Sequence, residues 1–196
     1  SNVLIPRVET EQIVEIANNI INYQKNIIFA DLGTGSGAIA ISLANTNKNW
    51  KGLATDIDEN VLRIAKKNYQ NNQISTNLKF ICGSWCNPLM DFKGMIDIVI
   101  ANPPYIPLKV YEDLPYPVKN FEPMLALCGG KDGLKHIREI IAGAPKILRR
   151  GGWIILENHF DQSLIVKSLL KENGFDSTKT INDFFGIGRF TIGRYK

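Results

Sequence analysis

The amino-acid sequence predicts an α/β protein: a doubly wound, mostly parallel seven-stranded sheet, Rossmann-like, with one antiparallel strand in its edge region. Three observations point there. Short apolar runs alternate with amphipathic helical stretches along most of the 196 residues. A glycine cluster follows the first central strand, where such folds make a tight strand-to-helix turn. The last two β-like runs are joined by a loop with no helix between them, and only antiparallel neighbours are joined so directly.

The elements follow in order. Ile13, Ile16, Ala17, Ile20 and Ile21 fall at three-and-four spacing and predict a first helix. Residues 26–32 form an apolar strand that stops at the glycines, 38–44 are helical, and 52–56 are a strand ending on Asp56. Residues 59–72 read as a helix with Leu62, Ala65 and Tyr69 inward, followed by strands at 78–82 and 96–101. The stretch 103–130 is proline-rich with little periodicity and is expected to be a loop; a loop of that length in a compact domain is usually functional. Residues 131–148 are helical, and Pro145 is expected to bend or shorten that helix. A strand at 153–157, a helix at 162–173 closed by Gly174, and strands at 177–181 and 189–194 complete the chain.

Composition narrows the function classes. With 44% hydrophobic and 21% charged residues, the chain is neither disordered nor collagen-like. One domain, 1–196, is expected. The formal charge is +4, but the cations are scattered, with Lys66-Lys67 and Arg149-Arg150 the only adjacent pairs. Dedicated nucleic-acid binders concentrate cations on one face, so direct nucleic-acid binding is not expected. No apolar run approaches the ~18–20 residues of a membrane span. The first residues lack the basic-then-apolar layout of a secretory signal. The cysteines, Cys82, Cys86 and Cys128, are odd in number and suit partly buried, reduced thiols in a cytoplasmic setting. His136 and His159 have no ligand-spaced partners and Cys82-x3-Cys86 makes no zinc site, so no metal is expected. A monomer is expected.

Asp31-Leu32-Gly33-Thr34-Gly35-Ser36-Gly37 lies where the first central strand turns into a helix. Glycine there allows positive φ and close approach of a ligand to the backbone. The G-x-G-x-G spacing is not that of dinucleotide sites, and no Walker lysine comes after it. Asp56 ends the next strand 19 residues after Gly37, close to the ~20 at which an acid meets ribose hydroxyls. Asp58 lies past that strand end and suits the role less well. Asp31 also ends a strand, and its carboxylate is placed to face an ammonium group. A ligand with a ribose, a free amino group and no diphosphate is S-adenosyl-L-methionine. A plain tight turn is the competing reading.

Residues 96–101 then run straight into Asn102-Pro103-Pro104-Tyr105. Two successive prolines fix φ and contribute carbonyls without competing N–H donors. The Asn102 side chain adds another acceptor oxygen, and Tyr105 a flat face. A planar –NH2 group fits: its two hydrogens meet two acceptors, and its lone pair is left aimed out of that plane towards an electrophile. Such a nitrogen is a poor nucleophile, so positioning and polarisation must provide much of the rate. A proline-rich strand exit is the competing reading. In an open α/β sheet the ligand crevice lies outside the carboxyl ends of the strands, where both motifs sit.

At these residues the chain resembles the release factor glutamine methyltransferases, within the class I S-adenosylmethionine-dependent group, over nearly its full length. Leu4-Ile5-Pro6-Arg7-Val8-Glu9-Thr10-Glu11 is similar to the family's Ile-Pro-Arg-Pro-Glu-Thr-Glu opening motif, with Val8 in place of the second proline. Phe121-Glu122-Pro123, followed by residues 126–134, is similar to its segment between strand and helix. The resemblance implies methylation of the side-chain amide nitrogen of the glutamine in a release factor's Gly-Gly-Gln tip, leaving S-adenosyl-L-homocysteine. It implies cofactor contacts at Gly33, Thr34, Gly35, Ser36, Gly37, Asp56, Trp85 and Asn102, with Trp85 beside the adenine or else a half-buried core aromatic. It implies substrate contacts at Asn102, Pro103, Pro104 and Tyr105, with Asn102, Pro103 and Tyr105 catalytic. Glu157-Asn158-His159 departs from the family's Glu-Ile-Gly, and His159 is read as a structural histidine rather than a cofactor contact. The family's helical N-terminal docking domain is expected to be absent from this chain. A methyltransferase acting on the exocyclic amino group of adenine, and a non-catalytic cofactor-binding scaffold, are the alternatives.

Overall fold

The computed structural model describes residues 8–21, 26–72, 77–114 and 124–196, with only the backbone of 8–10. Residues 4–7 of the opening motif and the segment 121–123 lie outside the described residues.

Seven strands form one sheet: β1 (Ile28–Leu32), β2 (Lys51–Asp56), β3 (Asn77–Cys82), β4 (Ile96–Ala101), β5 (Leu148–Glu157), β6 (Phe175–Asn182) and β7 (Gly188–Tyr195). Their order is β3-β2-β1-β4-β5-β7-β6. All neighbours are parallel except β7, which runs against both β5 and β6. The one reversed strand expected from the helix-free closing segment is therefore β7.

Residues alternate between the two faces of the sheet, as the period of two requires. From β1 and β4, Phe29, Ile98 and Ile100 pack with α1 (Val8–Ile21) and α2 (Ala38–Thr46). Ala30, Leu32, Val99 and Ala101 pack on the opposite face. There they meet α6 (Lys135–Ile147) and α7 (Ser163–Glu172). Strands β1 and β4, covered on both sides, are almost wholly apolar for that reason. Among the described residues, no helix is long and apolar enough to cross a membrane.

Four expectations need correction. The segment 103–130 is not a featureless loop: its described part carries the short helices α4 (Leu108–Glu112) and α5 (Met124–Leu127). Ile106 and Cys128 also pair as an isolated bridge. Helix α6 begins at Lys135 rather than 131, because Gly133 holds a φ of +75° that the helix cannot use. Pro145 does not stop α6, which runs on to Ile147, with the Leu148 N–H donating to the Ala144 carbonyl. In the last turn a proline sacrifices a single intrahelical bond. Of the cysteines, Cys82 is exposed rather than partly buried. Burial pushes the Cys86 thiol up to about 12, which keeps it protonated.

Candidate active site

The geometry starts from strand register. On adjacent parallel strands Leu32 pairs with Ala101. The residues that leave the sheet next, Gly33 and Asn102, therefore emerge side by side from strands about 4.8 Å apart. The chain from β1 continues to β2 on one side, while β4 lies on the other, so this is the point where the winding reverses.

The glycine loop is held from below. The Gly33 and Thr34 N–H groups both donate to the Thr55 carbonyl (2.9 and 2.8 Å), and the Asn68 side chain donates to the Ser36 carbonyl (2.9 Å). Asp56, at the end of β2, accepts from the Gly35 N–H (3.0 Å) and the Asp58 N–H (3.1 Å). Asp58 is occupied elsewhere, capping α3 (Glu59–Asn71) by accepting from the Asn60 N–H. Gly33, Gly35 and Gly37 all have positive φ. A Cβ on Gly33 would stand 2.8 Å from the Trp85 ring. Nothing larger than glycine leaves the loop and the indole in contact.

Asp31 lies under the loop, 1% exposed. Its Oδ2 accepts from the Thr34 hydroxyl (2.6 Å) and from the Ala40 N–H in the first turn of α2 (3.1 Å). Its Oδ1 is buried with no partner. Burial raises this carboxyl from 3.8 to about 6; its two hydrogen bonds oppose the rise and the charge of Asp56 adds to it. A buried acceptor with nothing to accept from is a seat for a donor. A cationic amino group fits it, and the glycine loop fits a ligand lying against the backbone, so the residues suit S-adenosylmethionine.

Trp85 is half-buried and packs on the core, yet one edge reaches Gly33. Its Nε1–H donates to Glu139 (2.9 Å), and the His136 ring lies 5.4 Å away, both from α6. Glu139 did not stand out in sequence, because its contact with Trp85 spans 54 positions, and His136 was weighed there only as a metal ligand.

On the acceptor side, Pro103 is buried and Asn102, Pro104 and Tyr105 are partly so. The Tyr105 hydroxyl donates to Glu157, the last residue of β5 (3.2 Å). Glu157 was missed as a site residue; its place at a strand end one strand beyond Asn102 was the available signal. Asn158 is fully buried and structural: it accepts from the Thr191 hydroxyl (2.7 Å) and donates to Ser163 Oγ (3.0 Å) and the His159 carbonyl (2.8 Å). His159 sits over Tyr105 (ring centroids 6.2 Å apart) with Asp161 at its Nδ1 (2.7 Å). It belongs to the acceptor side, not to the glycine loop.

A methyltransferase domain model matches residues 23–183. The release factor glutamine methyltransferase of Prochlorococcus marinus is 42% identical over 98% of this chain and 66% of its own length. The enzyme of the same name from Neisseria gonorrhoeae is 39% identical over 99% of this chain and 69% of its own. The chain thus spans about two thirds of the length of these curated relatives. In fold it is similar to a methyltransferase from Pyrococcus furiosus (TM-score 0.65, 21% identity, 92% of this chain and 82% of the other).

Proposed function

Because this chain belongs to the release factor glutamine methyltransferase family, we propose that it methylates the side-chain amide nitrogen of the glutamine in the Gly-Gly-Gln motif of peptide chain release factors. The observation that supports this reading is the pairing of Leu32 with Ala101, which brings the glycine loop and the diproline turn out of the sheet side by side.

In this function the Asp31 carboxylate would accept from the amino group of S-adenosyl-L-methionine, the loop from Gly33 to Gly37 would lie against it, Asp56 would accept from its ribose hydroxyls and Trp85 would border its adenine. The bound cofactor supplies a methyl carbon made electrophilic by the neighbouring sulfonium. Asn102 Oδ1 and the Pro103 carbonyl accept the two amide hydrogens of the substrate glutamine. The Tyr105 ring packs on the amide plane, and Glu157 fixes that ring through its hydroxyl. With both hydrogens held in plane, the nitrogen lone pair points across the crevice, so the turn contributes orientation and polarisation. No strong base would be required: the amide nitrogen would take the methyl group as the methyl–sulfur bond breaks, leaving the neutral thioether of S-adenosyl-L-homocysteine, and would then lose its proton to solvent. The partner is a release factor, and the setting the cytoplasm, where translation ends.

The test is labelled methyl transfer. A release factor should accept the label and its Gln→Ala tip variant should not. Equal labelling of both, or labelling of an adenine oligonucleotide instead, would overturn the proposal.

A further inference from the structure

The geometry points to Gln162 as a positioning residue for the acceptor turn, acting through the Tyr105 carbonyl; this rests on the proposed function. Gln162 is 4% exposed and lies in the junction between β5 and α7, 57 positions from Tyr105. Its Nε2 donates to the Tyr105 carbonyl (3.0 Å), with a longer contact to the Asp132 carbonyl (3.5 Å). Its Oε1 accepts from the His159 N–H (3.0 Å), and its own N–H donates to the His159 carbonyl (3.0 Å). The amide is thereby locked in one orientation, since reversing it would set NH2 against N–H and oxygen against oxygen.

The surroundings are shaped around this strut. A Cβ on Gly133 would collide with the Tyr105 carbonyl and stand 2.5 Å from Gln162 Nε2. A Cβ on Gly129 would stand 2.7 Å from the Pro104 carbonyl. Two glycines thus let the segment before α6 press against the back of the diproline turn. From the front, Glu157 takes the Tyr105 hydroxyl. Tyr105 is gripped at its backbone by Gln162 and at its ring tip by Glu157, both offered by the end of β5 and the turn after it. The prolines make the turn stiff, and Gln162 fixes where the stiff piece sits relative to β5. A displacement of ~1 Å at a reacting group can lower the rate about 100-fold.

Two variants test this in the full chain. Gln162→Glu keeps the shape and the acceptor for His159 but loses the donor; Gln162→Met keeps the length and loses both. With an intact release factor as substrate, kcat should fall at least tenfold in each, while KM and the affinity for S-adenosyl-L-homocysteine stay within threefold. Hydrogen exchange at the Ile106 amide, which donates to the Leu127 carbonyl at 2.9 Å, should speed up at least tenfold. Unchanged exchange in both variants would overturn the strut, and so would kcat, KM and cofactor affinity worsening together. A wild-type chain inactive on release factor would overturn the substrate assignment alone, because exchange still reports whether Gln162 holds the turn.

Discussion

Asp31→Asn separates what the fold gains from what the site gains. The carboxyl is raised from 3.8 to about 6 in the folded state, so between these values the folded chain holds a proton that the unfolded chain has released. Stability contributed at Asp31 is therefore lost as pH rises through that window, and the full penalty stands above pH 6. About two pH units at ~1.36 kcal/mol each give about 3 kcal/mol at pH 7.5, of which about half is already present at pH 5. Asparagine keeps an oxygen for the Thr34 hydroxyl and the Ala40 N–H, but its NH2 takes the place of the partnerless Oδ1, a buried donor that costs about 1–2 kcal/mol. The expected net effect is stabilisation of the ligand-free chain by about 1–2 kcal/mol at pH 7.5, shrinking towards pH 5. Urea unfolding of both chains at the two pH values measures it. Calorimetric titration at pH 7.5 should meanwhile show S-adenosyl-L-homocysteine binding weakened at least tenfold, since its amino group loses an anionic partner. A variant less stable than the parent at pH 7.5, or a stability difference that ignores pH, would refute the reasoning.

The remaining predictions concern the two motifs. Gly33→Ala combines a left-handed φ of +72° with a Cβ 2.8 Å from the Trp85 ring. It should lower stability by at least about 1–2 kcal/mol and weaken S-adenosyl-L-homocysteine binding tenfold or more. Adding Trp85→Leu should return part of the stability, read by urea midpoints. Asn102→Ala should leave cofactor affinity within threefold while kcat falls by about 100-fold or more; equal losses in a titration and a rate assay would mean that Asn102 serves the cofactor alone.

Much of this arrangement was legible in sequence because it is local. Apolar runs ending at Leu32 and Ala101 mark where strands stop, and the glycine loop and the diproline turn are each contiguous stretches that can be read residue by residue. Asp56 announces itself by ending a strand at the right distance from the glycines. The supporting partners are not local. Glu139 reaches Trp85, Gln162 reaches Tyr105 and Thr191 reaches Asn158 only after the sheet has brought distant segments together, and no periodicity links such pairs. Prolines misled twice, each time by suggesting less helix than forms. Around 103–114 they did not prevent a short helix, because Pro107 sits just before the first turn of α4, where no N–H is needed. At position 145 the proline falls in the last turn, and the helix runs only two residues beyond it.

The placement of β7 has a consequence for how the molecule is made. It is translated after both strands it must separate, yet it inserts between them, pairing Leu156 with Thr191 on one side and Ile181 with Phe190 on the other. A nascent chain halted before Gly188 holds a β5 and a β6 whose facing edges have no neighbour, the kind of edge that recruits other strands. The glycine-loop half of the sheet can assemble during synthesis. The half that supports Tyr105 matures only when the hairpin closes, so incomplete chains are candidates for aggregation and proteolysis rather than weakly active enzyme.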